Sequence, residues 1–212
     1  MPKIAVLIVA AGKGERAGTS LPKQYEALAG RPMLRRTAQA FAALFPDEKW
    51  PVQVVIGAGQ EALAAEALAG LDLPAPVIGG ATRQQSVRLG LEALADIFGD
   101  GRAPDFVLIH DAARPLVSAK LIGDVVAALA QGADGALPML AASDTLRRRQ
   151  PDGRFVLVPR ENLYRAQTPQ GFVYAKIAAA HRDHAGHEVT DDVALADLAG
   201  LAVTAVPGEE KN

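Results

Sequence analysis

Apolar residues along this chain follow two alternating arrangements. Short strand-like, mainly apolar runs occupy residues 4–9, 52–56, 76–78, 106–109 and 135–138. Between them, residues 33–44, 60–68, 84–97 and 119–130 carry apolar positions at helical spacing. Buried strands alternating with amphipathic helices predict a mostly parallel sheet covered on both faces. A further helix is predicted over 173–184 and a last strand over 201–206, while 98–105 is a glycine-containing loop. In sheets of this kind ligands lie beyond the carboxyl ends of the strands. The loops that follow the apolar runs are therefore where chemistry is expected.

Residues 141–158 break the alternation. Two stretches of mixed character flank Gln150-Pro151-Asp152-Gly153, a strong turn signal. Arg147, Arg148 and Arg149 precede the turn and Phe155-Val156-Leu157-Val158 follows it. This pattern predicts a β-hairpin outside the main sheet. A lone two-stranded hairpin is marginal in water, so the arm is expected to rest on something, most economically a second copy of the chain. The arginine run reads as its solvated face.

The first apolar run empties into Ala10-Ala11-Gly12-Lys13-Gly14, then Arg16, a polar loop and Pro22-Lys23. Small residues let main-chain N–H groups approach phosphate oxygens closely, and cations on either side neutralise their charge. Taken alone, a Gly-x-Gly also reads as an ordinary strand-to-helix turn. Two common phosphate loops are excluded. Lys13 is followed by Gly14 rather than Ser or Thr, and the dinucleotide fingerprint lacks its third glycine because Ala17 stands there.

Two further loops point to the same crevice. Gly79-Gly80-Ala81-Thr82-Arg83-Gln84-Gln85-Ser86 follows the third run and opens a helix that Thr82 is placed to cap, with Ser86 one turn inside. His110-Asp111-Ala112-Ala113-Arg114-Pro115 follows the fourth run. A carboxylate directly after a buried strand suits Mg²⁺ or a ribose hydroxyl, and an Asp–Arg pair pinning a loop fits the same residues equally well. His110 has no second ligand or nucleophile beside it in the sequence and reads as structural. Thr190-Asp191-Asp192 is expected to cap a following helix.

Composition narrows the function class. The 212 residues are 50% hydrophobic but only 5% aromatic, so the core is built mainly from Ala, Val, Leu and Ile. That length fits one domain, residues 1–212. A formal net charge of −2 without a basic run speaks against nucleic acid as a partner. The absence of cysteine removes disulfides and thiolate metal sites. No apolar run predicts a membrane span, and no signal-peptide pattern opens the chain. A cytoplasmic setting is expected.

The motifs agree with one family. AAGxGxRxG with PKQY at 10–25, HDAARP at 110–115, SDTL at 143–146, Pro159-Arg160, QTPQ at 167–170 and TDD at 190–192 together resemble the 2-C-methyl-D-erythritol 4-phosphate cytidylyltransferases, in order and over nearly the whole chain. The resemblance implies a Rossmann-like α/β fold with a β-arm that builds a homodimer. It implies transfer of a cytidylyl group from CTP to 2-C-methyl-D-erythritol 4-phosphate, with Mg²⁺, in non-mevalonate isoprenoid precursor biosynthesis. Carried over position by position, it implies that Ala10, Ala11, Gly12 and Gly14 line the nucleotide and that Arg16 and Lys23 hold the triphosphate. Gly79, Gly80 and Ser86 then read cytosine, and Asp111 serves metal and ribose, or a substrate hydroxyl. Arg114, Thr145, Thr168 and Thr190 form the methylerythritol-phosphate side, where Arg160 places the incoming phosphate, with Thr145 and Arg160 acting across the dimer.

Two departures stand out. Ala81 occupies a position where many relatives carry an acidic residue, and the family's Asn-x-Lys-x-Thr stretch is met only as far as Asn212. A removed tail and the first half of a bifunctional chain both fit the latter. The competing functions are a ribitol-5-phosphate cytidylyltransferase and a non-catalytic nucleotide-binding protein. Intact Arg16, Lys23, Asp111 and Arg160 weigh against the second.

Overall fold

The computed structural model describes residues 2–12, 21–44, 50–98, 102–187 and 189–212. In chain order the elements are β1 (Ile4–Ala10), a 3-10 turn (Lys23–Tyr25), the short pair β2 (Ala27–Leu28) and β3 (Arg31–Pro32), α1 (Met33–Leu44), β4 (Val52–Ile56), α2 (Glu61–Leu68), β5 (Val77–Ile78), α3 (Arg83–Phe98), β6 (Phe106–Asp111), α4 (Ala119–Ala130), β7 (Gly135–Ala141), β8 (Leu146–Arg149), β9 (Phe155–Val158), β10 (Tyr164–Ala166), β11 (Gln170–Val173), α5 (Tyr174–Asp183), α6 (Asp192–Leu198) and β12 (Val203–Pro207).

Strand β1 shows why the chain folds in three layers. Ile4, Val6 and Ile8 pack with α1, α2 and α4 on one face, whereas Ala5 and Leu7 pack with α3, α5 and α6 on the other. A strand apolar at every position is what a sheet buried on both faces requires. Each Leu or Ile so buried contributes about 1.5–3 kcal/mol.

Strands β6, β1, β4 and β5 lie side by side and parallel, with Val9 of β1 opposite Asp111 of β6. On the far side of β6 runs β11, antiparallel to both β6 and β7, and β12 then continues parallel to β7. The sequence pattern gave no strand at β10 or β11. These two form one interrupted run along β7. Ala166 lies opposite Met139 and Gly171 opposite Ala136, so the four residues between them on one side answer two on the other. The surplus falls at Gln167-Thr168-Pro169, where the Thr168–Pro169 peptide is cis.

This topology brings the ends of β1, β4, β5, β6, β7 and β12 and the start of β11 to one edge of the sheet. The hairpin β8–β9 leaves from that same edge after β7. It pairs Arg147 with Leu157 and Arg149 with Phe155, apart from the main sheet. Among the described residues no helix is long and apolar enough to cross a membrane.

Candidate active site

The carboxyl end of β1 is shaped by residues from two later segments. The 3-10 turn after Pro22 buries Gln24 and Tyr25 and leaves Lys23 exposed. Gln24 Nε2 donates to the carbonyl oxygens of Ala10 at 2.7 Å and Gly12 at 2.9 Å. Ala11 is half-buried and Gly12 exposed, so the loop entry is open to the crevice. Gly14 and Arg16 lie outside the described residues.

The loop after β5 approaches this entry closely. A Cβ on Gly79 would lie 2.6 Å from Ser86 Oγ and 2.9 Å from the Ala11 Cβ, so only glycine fits. Thr82 caps α3 as the sequence predicts, its hydroxyl accepting from the Gln85 N–H at 3.1 Å. The Gln85 side chain reaches back to accept from the Ala81 N–H at 2.9 Å. Ser86 is buried, and its hydroxyl accepts from the Gly80 N–H and donates to the Thr82 carbonyl. Its hydrogen bonds therefore hold the loop itself, and any reading of a base from this stretch falls to the exposed backbone around Gly80.

Asp111, at the end of β6, stands between two guanidiniums. Arg83 lies 3.6 Å from one carboxylate oxygen and Arg114 lies 3.7 Å from the other. Both distances exceed hydrogen-bond range, so Asp111 is balanced in charge while its oxygens remain open to a ligand. Arg83 is anchored from behind by the buried Asp192 at 2.8 Å, which also accepts from His181 at 3.1 Å. Burial alone would raise the Asp192 carboxyl. The Arg83 guanidinium and the His181 hydrogen bond outweigh it and hold that carboxyl below its ordinary value. Gln170 completes the support: its amide oxygen accepts from the Asp192 N–H and its nitrogen donates to Asp191. Asp191 in turn caps α6 through the Ala194 N–H.

Among the described residues no three His, Cys, Asp or Glu side chains gather into a metal cage. A single open carboxylate is nonetheless the donor set Mg²⁺ uses when substrate phosphates and water supply its remaining ligands. Asp111 fits that requirement.

The other sequence-predicted residues divide. Thr168 is buried beside Asp111, and its hydroxyl accepts from the Asp111 N–H and donates to His110. Arg114 donates to the Asn212 carbonyl at 3.1 Å, while Asn212 Nδ2 donates to the Thr168 carbonyl. The segment after β12 thus lies against this cluster. Thr145 and Thr190 are exposed, Thr145 at the foot of the arm and Thr190 ahead of α6. Arg160 donates to the Ser143 carbonyl, at the foot of the arm. Sequence reasoning passed over Arg83, Gln24 and Gln170. Arg83 directly follows the predicted helix cap at the crevice, a position from which its contact with Asp111 was available to inference. Gln24 and Gln170 stood inside quoted motifs but carry no charge to draw attention.

A family model described as 2-C-methyl-D-erythritol 4-phosphate cytidylyltransferase matches residues 4–212. The bifunctional enzyme IspD/IspF of Paramagnetospirillum magneticum is 52% identical over 212 residues, covering 100% of this chain and 53% of that protein. The chain thus spans about half the length of such relatives. Among solved structures, a 2-C-methyl-D-erythritol 4-phosphate cytidylyltransferase from Thermus thermophilus is 36% identical with a TM-score of 0.75, covering 100% of this chain and 91% of that one. A 4-diphosphocytidyl-2C-methyl-D-erythritol synthase from Anaerococcus prevotii is 27% identical with a TM-score of 0.80 over the same shares. The Ala10–Gly12 loop entry, the PKQY turn and the Asp111 cluster meet at one sheet edge, and a single family model runs through all of them: the chain belongs to the 2-C-methyl-D-erythritol 4-phosphate cytidylyltransferase family.

Proposed function

We propose that this chain, acting as one nucleotidyltransferase domain, joins CTP to 2-C-methyl-D-erythritol 4-phosphate. The products are 4-diphosphocytidyl-2-C-methyl-D-erythritol and pyrophosphate. The observation that carries the reading is the convergence at one sheet edge of the loop entry at Ala10–Gly12, exposed Lys23, and Asp111 held between Arg83 and Arg114. That arrangement suits a substrate with several phosphates at one end and hydroxyls at the other.

The chemistry needs no covalent enzyme intermediate. A phosphate oxygen of the acceptor attacks the α-phosphorus of CTP, a new P–O–P bond forms, and the bond to the β-phosphate oxygen breaks as pyrophosphate leaves. The nucleophile is already anionic near neutral pH, so a strong general base is unnecessary. The barrier lies in bringing anions together and in the charge that builds at the α-phosphorus. Positioning and fixed cations lower it. Arg16 and Lys23 take the triphosphate in this reading, and the Ala10–Gly12 backbone lines it. The backbone of Gly79 and Gly80 faces the base, with Ser86 bracing their loop. Asp111 would hold Mg²⁺, which when bound neutralises phosphate charge. Arg114, Thr168 and Thr190 face the acceptor.

Thr145 and Arg160 reach the acceptor phosphate only if the arm is shared. Phe155 and Leu157 on β9 are 61% and 62% exposed, an apolar face on an isolated hairpin, which supports a homodimer through the arm. Phosphorus NMR of chain, CTP, Mg²⁺ and 2-C-methyl-D-erythritol 4-phosphate tests the reaction. The expected spectrum gains free pyrophosphate and a coupled diphosphate pair. A spectrum that keeps only CTP and the monophosphate would overturn the reading.

A further inference from the structure

A buried polar network ties the two ends of the nucleotide loop together. Gln24 Nε2 faces three acceptors: the Ala10 carbonyl at 2.7 Å, the Gly12 carbonyl at 2.9 Å and Gln60 Oε1 at 3.3 Å. Gln60 Oε1 also accepts from the Tyr25 hydroxyl at 3.2 Å and from the Gly57 N–H at 3.3 Å. All three side chains are buried, with Gln24 6%, Tyr25 5% and Gln60 9% exposed. Carbonyl oxygens can only accept and a backbone N–H can only donate, so both amide orientations are fixed by chemistry. Gln24 acts through its nitrogen and Gln60 through its oxygen. Among the described residues the Gln60 nitrogen makes no hydrogen bond, so only its oxygen does work in the network.

The network has consequences for the site. Gln24 draws the Ala10 and Gly12 carbonyls toward the core, and across the planar trans peptide this turns the Ala11 N–H the other way. It also sits next to Lys23 on a 3-10 turn whose inner residues are buried, so the position of Lys23 is set from the same anchor. Gln60 and Gly57 bring in the end of β4. We infer that the Gln24–Gln60–Tyr25 network fixes the entry of the nucleotide loop against Lys23, and that Gln24 is a positioning residue for nucleotide binding. This rests on the proposed CTP site.

The two glutamines make opposite predictions for one substitution. Gln24→Glu sets a carboxylate against two carbonyls and removes the donor they share, so the loop entry opens. Gln60→Glu keeps an acceptor for three donors, so the network survives. Calorimetric titration of CTP with Mg²⁺ reads the difference. Gln24→Glu and Gln24→Ala are expected to weaken CTP binding ~10-fold or more, and Gln60→Glu to stay within ~3-fold of wild type. In steady-state kinetics the loss appears in KM for CTP and leaves KM for the acceptor phosphate unchanged. A role in fold stability alone would penalise both buried charges alike. The inference is overturned if Gln24→Glu binds CTP like wild type, or if Gln60→Glu loses as much as Gln24→Glu. Should Gln24→Glu fail to fold, Gln24→Ala against Gln60→Glu makes the same comparison. A wild-type chain that binds no CTP would overturn the function itself, and this inference with it.

Discussion

His110 shows how one buried side chain organises the site without touching a ligand. It has no exposed surface and packs edge-on against Phe41 at 4.9 Å. Its Nε2–H donates to the Arg114 carbonyl at 2.9 Å, so Nδ1 accepts from the Thr168 hydroxyl at 3.0 Å, which accepts from the Asp111 N–H at 3.1 Å. One neutral tautomer satisfies every group in this chain and pins both ends of the Asp111–Arg114 turn. Burial pushes the imidazole down to about 4, opposed only in part by the Arg114 carbonyl. The sign of the pH dependence follows. The unfolded chain takes up the proton near 6.5 and the folded one only near 4, so the unfolded state binds more protons between those values. Stability from this residue is full above about pH 6.5 and is lost as pH falls toward 4, by at most about 3 kcal/mol. Urea denaturation at a series of pH values should show a shallower fall for His110→Gln than for wild type across that window. Parallel curves would count against it. The sequence marked His110 as structural because nothing reactive stood near it. The partner that explains it, Thr168, is 58 residues away, a distance no local pattern spans.

At the scale of elements, close packing decides what spacing alone leaves open. Helix α3 crosses β1 and β4 at Gly90, where a Cβ would lie 2.4 Å from Leu7 Cδ1 and 2.6 Å from Val55 Cγ2. Leu7 and Val55 are fully buried and have no room to turn away. Alanine in a helix interior normally gains about 1 kcal/mol over glycine. Here overpacking outweighs that gain, and Gly90→Ala is expected to destabilise by about 1–2 kcal/mol net. Chemical denaturation checks the sign; a stabilised variant would contradict the packing. Most elements were legible because their residues carry the period their environment demands. The uniformly apolar β1 reads only as a buried strand, β4 is apolar at every position but Gln53, and α4 presents Leu121, Ile122, Val125 and Leu129 as one buried stripe. Strands β10 and β11 were not legible, because Arg165, Gln167 and Gln170 break any apolar run. The strand character of β11 comes from neighbours on both edges, β6 and β7, and that of β10 from its pairing with β7. In the site, charge and glycine patterns located the loops and Asp111. Arg83 and Gln24 escaped because their meaning lies in partners, Asp192 and the Ala10 and Gly12 carbonyls, that only the fold supplies.

At the scale of the whole molecule, the sheet gathers its functional loops at one edge and sends the arm out from the same place. The arm carries Phe155, Val156 and Leu157 exposed, with Leu163 and Tyr164 also exposed just beyond it. If that surface joins two copies, Phe155→Ser with Leu157→Ser should shift the chain from dimer to monomer in light scattering at micromolar concentration. The same change should cut turnover by removing Arg160 from the neighbouring site. A double variant that stays dimeric would contradict the arm's role. The rate of pyrophosphate release reads the proposed reaction itself. With CTP and Mg²⁺ present, 2-C-methyl-D-erythritol 4-phosphate and ribitol 5-phosphate are offered in parallel to the same preparation. Steady release is expected with the first and none above background with the second. Release with ribitol 5-phosphate at an equal or greater rate would contradict the proposed reaction.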